Sequence, residues 1–368
     1  MNYKSMLLGL MATVAVFQSQ PAQACTGITL TAKDSTRILA RTIEWGGSDL
    51  NSCYVVVPRG YTVQSYVPGG QDGMKFTAKY GYVGLAVEQK EFVAEGLNEE
   101  GLSAGLFYFP NYGQYEAYKA EYKSSSIADL QLVSWVLGNC KTVDEVMESL
   151  KQVHVVAIDP RASTVHWRFA DVSGRQVVLE IVDGELHFFE NHLRVLTNSH
   201  LGVLTNSPGF EWQLTNLNNY VNLYPGSAQP QSLGNVALRS FGAGSGFLGI
   251  PGDVTPPSRF VRAAFYQATA PVQDNARQTV LQGFHILNNF DIPLGIEFAE
   301  GKVPVNIPSA TQWTSATDMR HRMIYYRTMY NSAIRSIDLN KIDFQRVKYR
   351  AVPLDTIKEQ PVMEVSIR

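Results

Sequence analysis

The sequence lacks a strong excess of charge of either sign and, beyond its first residues, any long hydrophobic run. Its 368 residues carry 31 Lys and Arg against 33 Asp and Glu, a formal net charge of -2. No basic block is present, which argues against a nucleic-acid partner or an anionic membrane surface. With 45% hydrophobic and 17% charged residues, the composition is typical of a globular protein with a large core.

Metal and phosphate signatures are also scarce. The seven histidines form no H-E-x-x-H motif and no Cys–His spacing, so we predict no metal and no cofactor. Residues 244–249 match G-x-G-x-x-G, but Pro251 follows and no helical pattern begins there. A phosphate-binding loop is therefore not expected. No serine-triad motif is present either.

The apolar run 6–17 lies close to the N-terminus, with Lys4 before it and Ala22-Gln23-Ala24 after it. A positive start, an apolar segment of roughly 7–15 residues and an A-x-A end are typical of a secretory signal peptide. A transmembrane helix needs about 20 apolar residues. We therefore predict that residues 1–24 are a signal peptide. The mature protein would be periplasmic or secreted, without a membrane anchor after processing.

Cysteine is rare, with only Cys25, Cys53 and Cys140 in the chain. In an oxidising compartment Cys53 and Cys140 could pair, or both could be buried small hydrophobes. Cys25 would become the first residue if cleavage follows Ala24. Its α-amine, titrating near 8, could then take the thiol proton, so one residue would supply nucleophile and base. The alternatives are an inert cysteine or a lipoprotein cysteine. A lipoprotein motif normally has a Leu-like residue three positions before the cysteine, where this chain has Ala22.

Hydrophobic patterning predicts runs of strands separated by runs of helices. Such segregation favours packed antiparallel sheets with helices outside them. A Thr142–Glu145 capping box starts one helix, and Asp183-Gly184 predicts a hairpin turn. The predicted strands are 26–31, 36–42, 54–57, 76–87, 92–95, 102–109, 153–158, 164–170, 177–182, 185–189, 323–330 and 333–339. The predicted helices are 126–137, 142–150, 210–223, 258–269 and 274–286.

Residues 192–199 (HLRVLTNS) and 200–207 (HLGVLTNS) are a near-identical repeat that differs only at Arg194 and Gly202. The unit is too short for a solenoid and indicates a local duplication. An inserted octet could extend a strand without reversing its faces, or it could loop out. Asn198 and Asn206 occupy equivalent positions in it.

Several motifs occur in a fixed order: CTGI, ARTIEW, GLNEEGL with AGLFYFP, VLTNSPGFEWQLTNLNNY and GDVTPPSRFVRAAF. This ordered set, from Cys25 to about Phe265, resembles the choloylglycine hydrolase family. That family contains bile salt hydrolases and penicillin V acylases and belongs to the N-terminal nucleophile hydrolases. The resemblance implies an α+β fold, a four-layer αββα sandwich formed by residues 25–368 as one domain. It also implies hydrolysis of a linear C–N amide bond in a small molecule, and a homotetramer, since members are often tetramers.

The resemblance assigns roles by motif. Cys25 would be nucleophile and base. Arg41 would hold the thiolate, a role its charge also suggests. Glu44 falls where many members have Asp and would orient the α-amine. Asn206 would donate to the oxyanion, in preference to Asn198, because only Asn206 is followed by the family's Pro, Phe and Trp.

Three further positions complete the predicted site. The backbone N–H of Tyr108, or alternatively that of Phe107, would be the second oxyanion donor. Arg259 matches the second active-site arginine, whereas Arg262 is expected to be structural. Trp45 and Phe107 would line an apolar acyl pocket.

An aromatic pocket favours an aryl or fatty acyl group, as in a penicillin V acylase or an N-acyl homoserine lactone acylase. A conjugated bile salt hydrolase is the alternative. A different class of function stays open, because the chain could be an inactive exported binding protein or a lipoprotein anchored through Cys25.

Overall fold

The computed structural model describes residues 23–70, 72–158, 163–191 and 201–367. The first octet of the repeat, with Asn198, lies outside these ranges, as do residues 1–22 of the predicted signal peptide. No helix within the described ranges combines the length and apolarity that crossing a bilayer requires.

Strands account for most of the regular structure. Many carry runs of Val, Ile, Thr and aromatic residues, which suit a pleated, buried surface. The strands are β1 (Gln23–Thr31), β2 (Arg37–Trp45), β3 (Cys53–Val57), β4 (Thr62–Gln64), β5 (Lys75–Thr77), β6 (Tyr82–Ala86), β7 (Val93–Asn98), β8 (Ser103–Tyr108), β9 (Ser126–Ala128), β10 (His154–Val156), β11 (Val165–Ala170), β12 (Gln176–Val182), β13 (Glu185–Glu190), β14 (Gln231–Leu233), β15 (Val236–Leu238), β16 (Thr311–Asp318), β17 (Met323–Thr328), β18 (Asn331–Asp338) and β19 (Arg350–Pro353).

The α-helices begin and end at recognisable signals. The predicted cap at Thr142 is confirmed, since its hydroxyl accepts a hydrogen bond from Glu145 N at 3.2 Å. Pro256 occupies the first turn of α4, where the missing N–H costs nothing. The helices are α1 (Leu132–Asn139), α2 (Val143–Leu150), α3 (Phe210–Asn216), α4 (Pro256–Thr269) and α5 (Ala276–Leu287).

Two antiparallel sheets form the centre of the molecule. One has five strands in the order β1-β2-β16-β17-β18, and the other has eight in the order β13-β12-β11-β8-β7-β6-β3-β19. The sheets meet where β1 faces β8. Helices α4 and α5 pack on the outer face of the five-stranded sheet, while α1 and α2 pack on the eight-stranded one. These are the four layers of the predicted αββα sandwich, and the core lies between the sheets.

Two predicted elements differ from the observed ones. The single strand predicted at 76–87 is divided into β5 and β6, because Lys79 N and Tyr80 N leave the sheet and donate to Gly138 O at the end of α1. Ser126 does not cap a helix. It begins β9, which pairs in parallel with β10, and α1 starts only at Leu132.

Strand β16 had no counterpart among the predictions. Its sequence TQWTSATD is polar, yet all eight residues are buried between β2 and β17. Thr and Ser are compatible with a buried strand. They do not give the alternation of apolar and polar residues by which a strand is recognised in a sequence. By contrast, the predicted Asp183-Gly184 turn is confirmed, with positive φ angles of 52° and 76° at its two residues.

Candidate active site

Cys25 lies near the start of β1, on the inner side of the sandwich, and is only 4% exposed. The β1–β2 register places it opposite Ile43 and places Gly27 opposite Arg41. Two backbone hydrogen bonds between Gly27 and Leu204, of 2.7 and 3.0 Å, bring the segment leading to Asn206 alongside β1. Residues far apart in the chain therefore converge on the first residue of the predicted mature protein.

Arg41 holds the sulfur of Cys25. Its Nη2 lies 2.8 Å from Cys25 Sγ. Its Nη1 donates to Leu106 O at 2.6 Å and Ala94 O at 3.1 Å, which fixes the guanidinium against the opposite sheet. The guanidinium carbon lies 4.2 Å from the centre of the Phe107 ring. The side chain is fully buried, so its charge acts on the sulfur without screening by water.

Asn206 and Arg259 hold the backbone of Cys25. Asn206 Oδ1 accepts from Cys25 N and from Arg259 Nη2, both at 2.8 Å. Arg259 Nη1 donates to Cys25 O at 2.6 Å and to the Thr26 hydroxyl at 2.7 Å. Asn206 Nδ2 donates to Tyr108 O at 2.7 Å, which leaves its second N–H for another acceptor.

Glu44 lies opposite Ala24 in the register and is 2% exposed. Within the described ranges neither of its carboxylate oxygens has a hydrogen-bond partner. Burial raises its pKa to about 7, against the opposing charge of Arg259, the nearby Thr42 hydroxyl and the charge of Arg41. The arginines thus act on this carboxylate without a hydrogen bond to it, and Cys25 N is still a peptide nitrogen because Ala24 is attached.

The thiol of Cys25 is subject to opposing influences. Burial raises its pKa above the usual value, and the charge of Glu44 acts in the same direction. Arg41, the backbone N–H of Tyr108 and Arg259 lower the pKa. The net direction is upward, so the environment in the chain that retains Ala24 raises the pKa of the thiol and favours its protonated form.

The structure thus brings together the main predicted residues, Cys25, Arg41, Asn206, Arg259 and the backbone of Tyr108, with Glu44 beside them. Phe107 is an exception. It is fully buried under the Arg41 guanidinium, so its ring supports that side chain and does not line a substrate pocket.

The remaining predicted positions are less central. Trp45 is partly exposed, and its indole N–H donates to the Ser48 hydroxyl at 2.9 Å. Arg262 donates to Pro251 O and Asp253 O, each at 2.7 Å, in keeping with a structural role. Cys53 and Cys140 are both free thiols, so the suggested disulfide is not formed.

Two charged residues near the site were missed from the sequence. Glu95 in β7 and Arg168 in β11 are 2% and 1% exposed. Both lie in strands that are buried at every residue and that otherwise carry one polar side chain each, Asn98 and His166. A charge inside such a run was the available signal, because buried charges occur only with partners. Groups of three or more His, Cys, Asp or Glu residues able to hold a metal are absent from the described ranges.

Known proteins resemble this chain over most of its length. The family described as linear amide C–N hydrolases, choloylglycine hydrolase family, matches residues 25–349. A bile salt hydrolase/transferase of Clostridium perfringens is 32% identical over 323 residues, which are 86% of this chain and 93% of the relative. A penicillin V acylase of Pectobacterium atrosepticum is 27% identical over 342 residues, which are 86% of this chain and 81% of that protein.

A solved structure shows the same fold. The crystal structure of a variant conjugated bile acid hydrolase from Clostridium perfringens superposes with a TM-score of 0.76 at 30% identity. The match covers 93% of this chain and 100% of the other. Together with the αββα layers and the residues gathered around Cys25, these likenesses show that the chain belongs to the choloylglycine hydrolase family of linear amide C–N hydrolases.

Proposed function

We propose that the mature chain hydrolyses a linear amide with Cys25 as its N-terminal nucleophile. The observation that supports this proposal is that different side chains contact the sulfur and the nitrogen of the same residue, Cys25. Arg41 Nη2 lies 2.8 Å from the sulfur, while Asn206 Oδ1 lies 2.8 Å from the nitrogen that becomes the α-amine when Ala24 is removed. A thiol and an amine held on one buried residue can act as nucleophile and base.

In the proposed reaction the α-amine takes the thiol proton, and Sγ forms a bond with the substrate carbonyl carbon. The second N–H of Asn206 and the backbone N–H of Tyr108 stabilise the oxyanion. Removal of one such donor typically costs about 10²–10³ in kcat. The C–N bond then breaks, and the amine gives its proton to the leaving nitrogen. Water hydrolyses the thioester, which releases the acid and restores the thiol.

Glu44 is proposed to bind the α-ammonium. Its carboxylate lacks a partner while Ala24 is attached, and its position opposite Ala24 places it beside the new terminus. Its side chain is one methylene longer than the Asp of many family members.

Two substrate classes are proposed for the acyl side. Trp45, partly exposed at the end of β2, supports an aryl or fatty acyl group, as in penicillin V or an N-acyl homoserine lactone. The buried position of Phe107 removes the second aromatic residue from that argument. The 32% identity to a bile salt hydrolase supports conjugated bile salts as the second candidate.

The test compares hydrolysis of penicillin V, glycocholate and a long-chain acyl homoserine lactone by the wild-type chain, Cys25→Ala and Cys53→Ala. We expect Cys25→Ala to lose turnover of every substrate while it keeps its circular dichroism spectrum. Cys53→Ala serves as the thiol control and should keep its activity. Full amidase activity in Cys25→Ala would refute the proposal.

Export and assembly are proposed on sequence grounds. Intact-mass analysis of protein from the producing cells should give a chain that starts with unmodified Cys25. An attached diacylglycerol would indicate a lipoprotein instead. Light scattering of the mature protein would test the proposed homotetramer.

A further inference from the structure

Arg41, which contacts the Cys25 sulfur, lies beside two further buried charges, and we refer to Arg41, Glu95 and Arg168 as the charge trio. Their exposures are 0%, 2% and 1%. Glu95 Oε2 lies 3.7 Å from Arg41 Nη1 and 3.6 Å from Arg168 Nη2. One carboxylate is therefore shared almost equally by two guanidinium groups.

The strand register creates this arrangement. Gly105 in β8 pairs with Glu95 on one side and with Arg168 on the other. A Cβ at position 105 would overlap Glu95 Oε2. The absence of a side chain at Gly105 thus leaves a gap in β8, and the side chains of Glu95 and Arg168 meet across this gap.

Glu95 does not set the orientation of Arg41. The guanidinium is held by carbonyl groups: its Nε donates to Thr42 O at 3.2 Å, and its Nη1 donates to Leu106 O and Ala94 O. Glu95 Oε2 lies within ion-pair distance but accepts no hydrogen bond within the described ranges. Its influence on Arg41 is therefore electrostatic, and this influence depends on how much of its charge Arg168 compensates.

The charges of the trio sum to one positive unit, because two arginines face one carboxylate. A buried net charge is costly unless a partner balances it, and an ionised sulfur on Cys25, 2.8 Å from Arg41, supplies that balance. Without Arg168, Arg41 and Glu95 would neutralise each other. The thiolate would then face only the charges of Arg259 and Glu44, which act on its pKa in opposite directions. Arg168 also lies against the nucleophile's strand, since its Nη1 is 3.4 Å from Ile28 O.

We propose that Arg168 is a positioning residue, which pairs with Glu95 and so leaves the charge of Arg41 available to the Cys25 thiolate. This inference rests on the proposed role of Cys25 as nucleophile. Arg168 itself touches neither the sulfur nor a substrate in this scheme. Its effect passes through Glu95, and it should appear in the ionisation of the thiol.

The test measures the rate of iodoacetamide alkylation at Cys25 against pH in the mature protein, with peptide mass mapping to identify the modified cysteine. Arg168→Gln should move the midpoint upward by about one pH unit, which is about a tenfold slower reaction on the acid side. Glu95→Gln should move it downward. The double variant should return close to the wild-type midpoint, and the acid limb of kcat/KM should move in the same directions.

Arg335→Gln is the control for loss of an arginine ion pair, because Arg335 pairs with Asp355 at 2.8 Å in another part of the protein. It should not move the midpoint. If Arg168→Gln does not fold, the test uses Glu95→Gln and the double variant. The double variant removes both members of the Glu95–Arg168 pair and so leaves no unbalanced carboxylate.

An unchanged midpoint in Arg168→Gln, or shifts of the same sign in both single variants, would overturn the inference. So would a double variant whose midpoint stays at that of Glu95→Gln. Turnover by Cys25→Ala decides the proposed function separately, since alkylation reports the thiol whether or not it is the nucleophile.

Discussion

Glu44 shows how a single residue can be unfavourable in one form of the chain and useful in another. While Ala24 is attached, its buried carboxylate has no hydrogen-bond partner within the described ranges, and its pKa is raised to about 7. Removal of Ala24 would place a positive α-ammonium beside it. The same side chain would then be paired, and its pKa would fall.

This leads to a prediction about pH and stability. A folded-state pKa of about 7 against an ordinary 4.5 means that the folded chain binds this proton more tightly than the unfolded chain does. The associated stability is complete below pH 4.5 and is lost as pH rises to about 7, an effect of about 3 kcal/mol at most. In the chain that retains Ala24, we therefore expect the free energy of unfolding of the wild type to fall relative to Glu44→Gln between pH 4.5 and 8. Urea titrations at several pH values would measure it.

The matched control is the mature protein, in which the α-ammonium should make the difference between wild type and Glu44→Gln smaller. A difference that is the same at every pH in the chain with Ala24 would contradict the raised pKa.

At the residue scale the sequence could name the side chains that short motifs mark. Cys25, Arg41, Asn206 and Arg259 each lie in such a motif, and the structure places them together. Glu95 could be marked only as a charge inside a buried strand, because its contact with Arg168 depends on the register of three strands around a glycine.

At the scale of elements, strand β8 carries much of the site. It supplies Leu106 O for Arg41, the backbone of Tyr108 for Asn206, and the gap at Gly105. Its position between β7 and β11 explains why a small residue is needed in its middle.

We predict that Gly105→Ala destabilises the protein by about 1–3 kcal/mol, the usual cost of overpacking a well-packed core. The added methyl group would displace Glu95 from its place between the two arginines. Gly283→Ala in α5 is the matched control, because its Cβ would meet Ala40 Cβ at an ordinary 3.4 Å. Alanine also favours a helix over glycine by up to about 1 kcal/mol. Denaturant unfolding of both variants checks the contrast, and equal effects would contradict it.

The elements that sequence patterning identified are those with strong local signals. Strands β1 and β2, the turn at 183–184 and the capped helix α2 belong to this group. Strand β16 was missed because the burial of its polar residues depends partly on β2, which is distant in the chain, and patterning records local hydrophobicity only. The break between β5 and β6 was missed for a similar reason, since it depends on hydrogen bonds to the end of α1.

At the scale of the whole molecule, the contacts that would prepare Cys25 for its proposed role are formed before its α-amine exists. The contacts of its sulfur, carbonyl and nitrogen with Arg41, Arg259 and Asn206 are present with Ala24 attached. What is missing is the α-amine, because that nitrogen is part of a peptide bond. Folding would thus assemble the site, and proteolysis after Ala24 would supply the base.

We therefore predict that the chain with Ala24 attached is inactive although it is folded. Ala24 is itself buried, at 5% exposure, against Ile292 and Ala310, so a retained leader would also occupy space beside the site. The measurement compares amidase activity of a chain purified with its leader intact, the same chain after proteolytic removal of residues 1–24, and a chain produced to begin at Cys25. Activity should appear only in the second and third, together with a mass that corresponds to a free N-terminal cysteine. Full turnover by the first would show that the α-amine is not the base, and a base elsewhere in the site would then have to replace it.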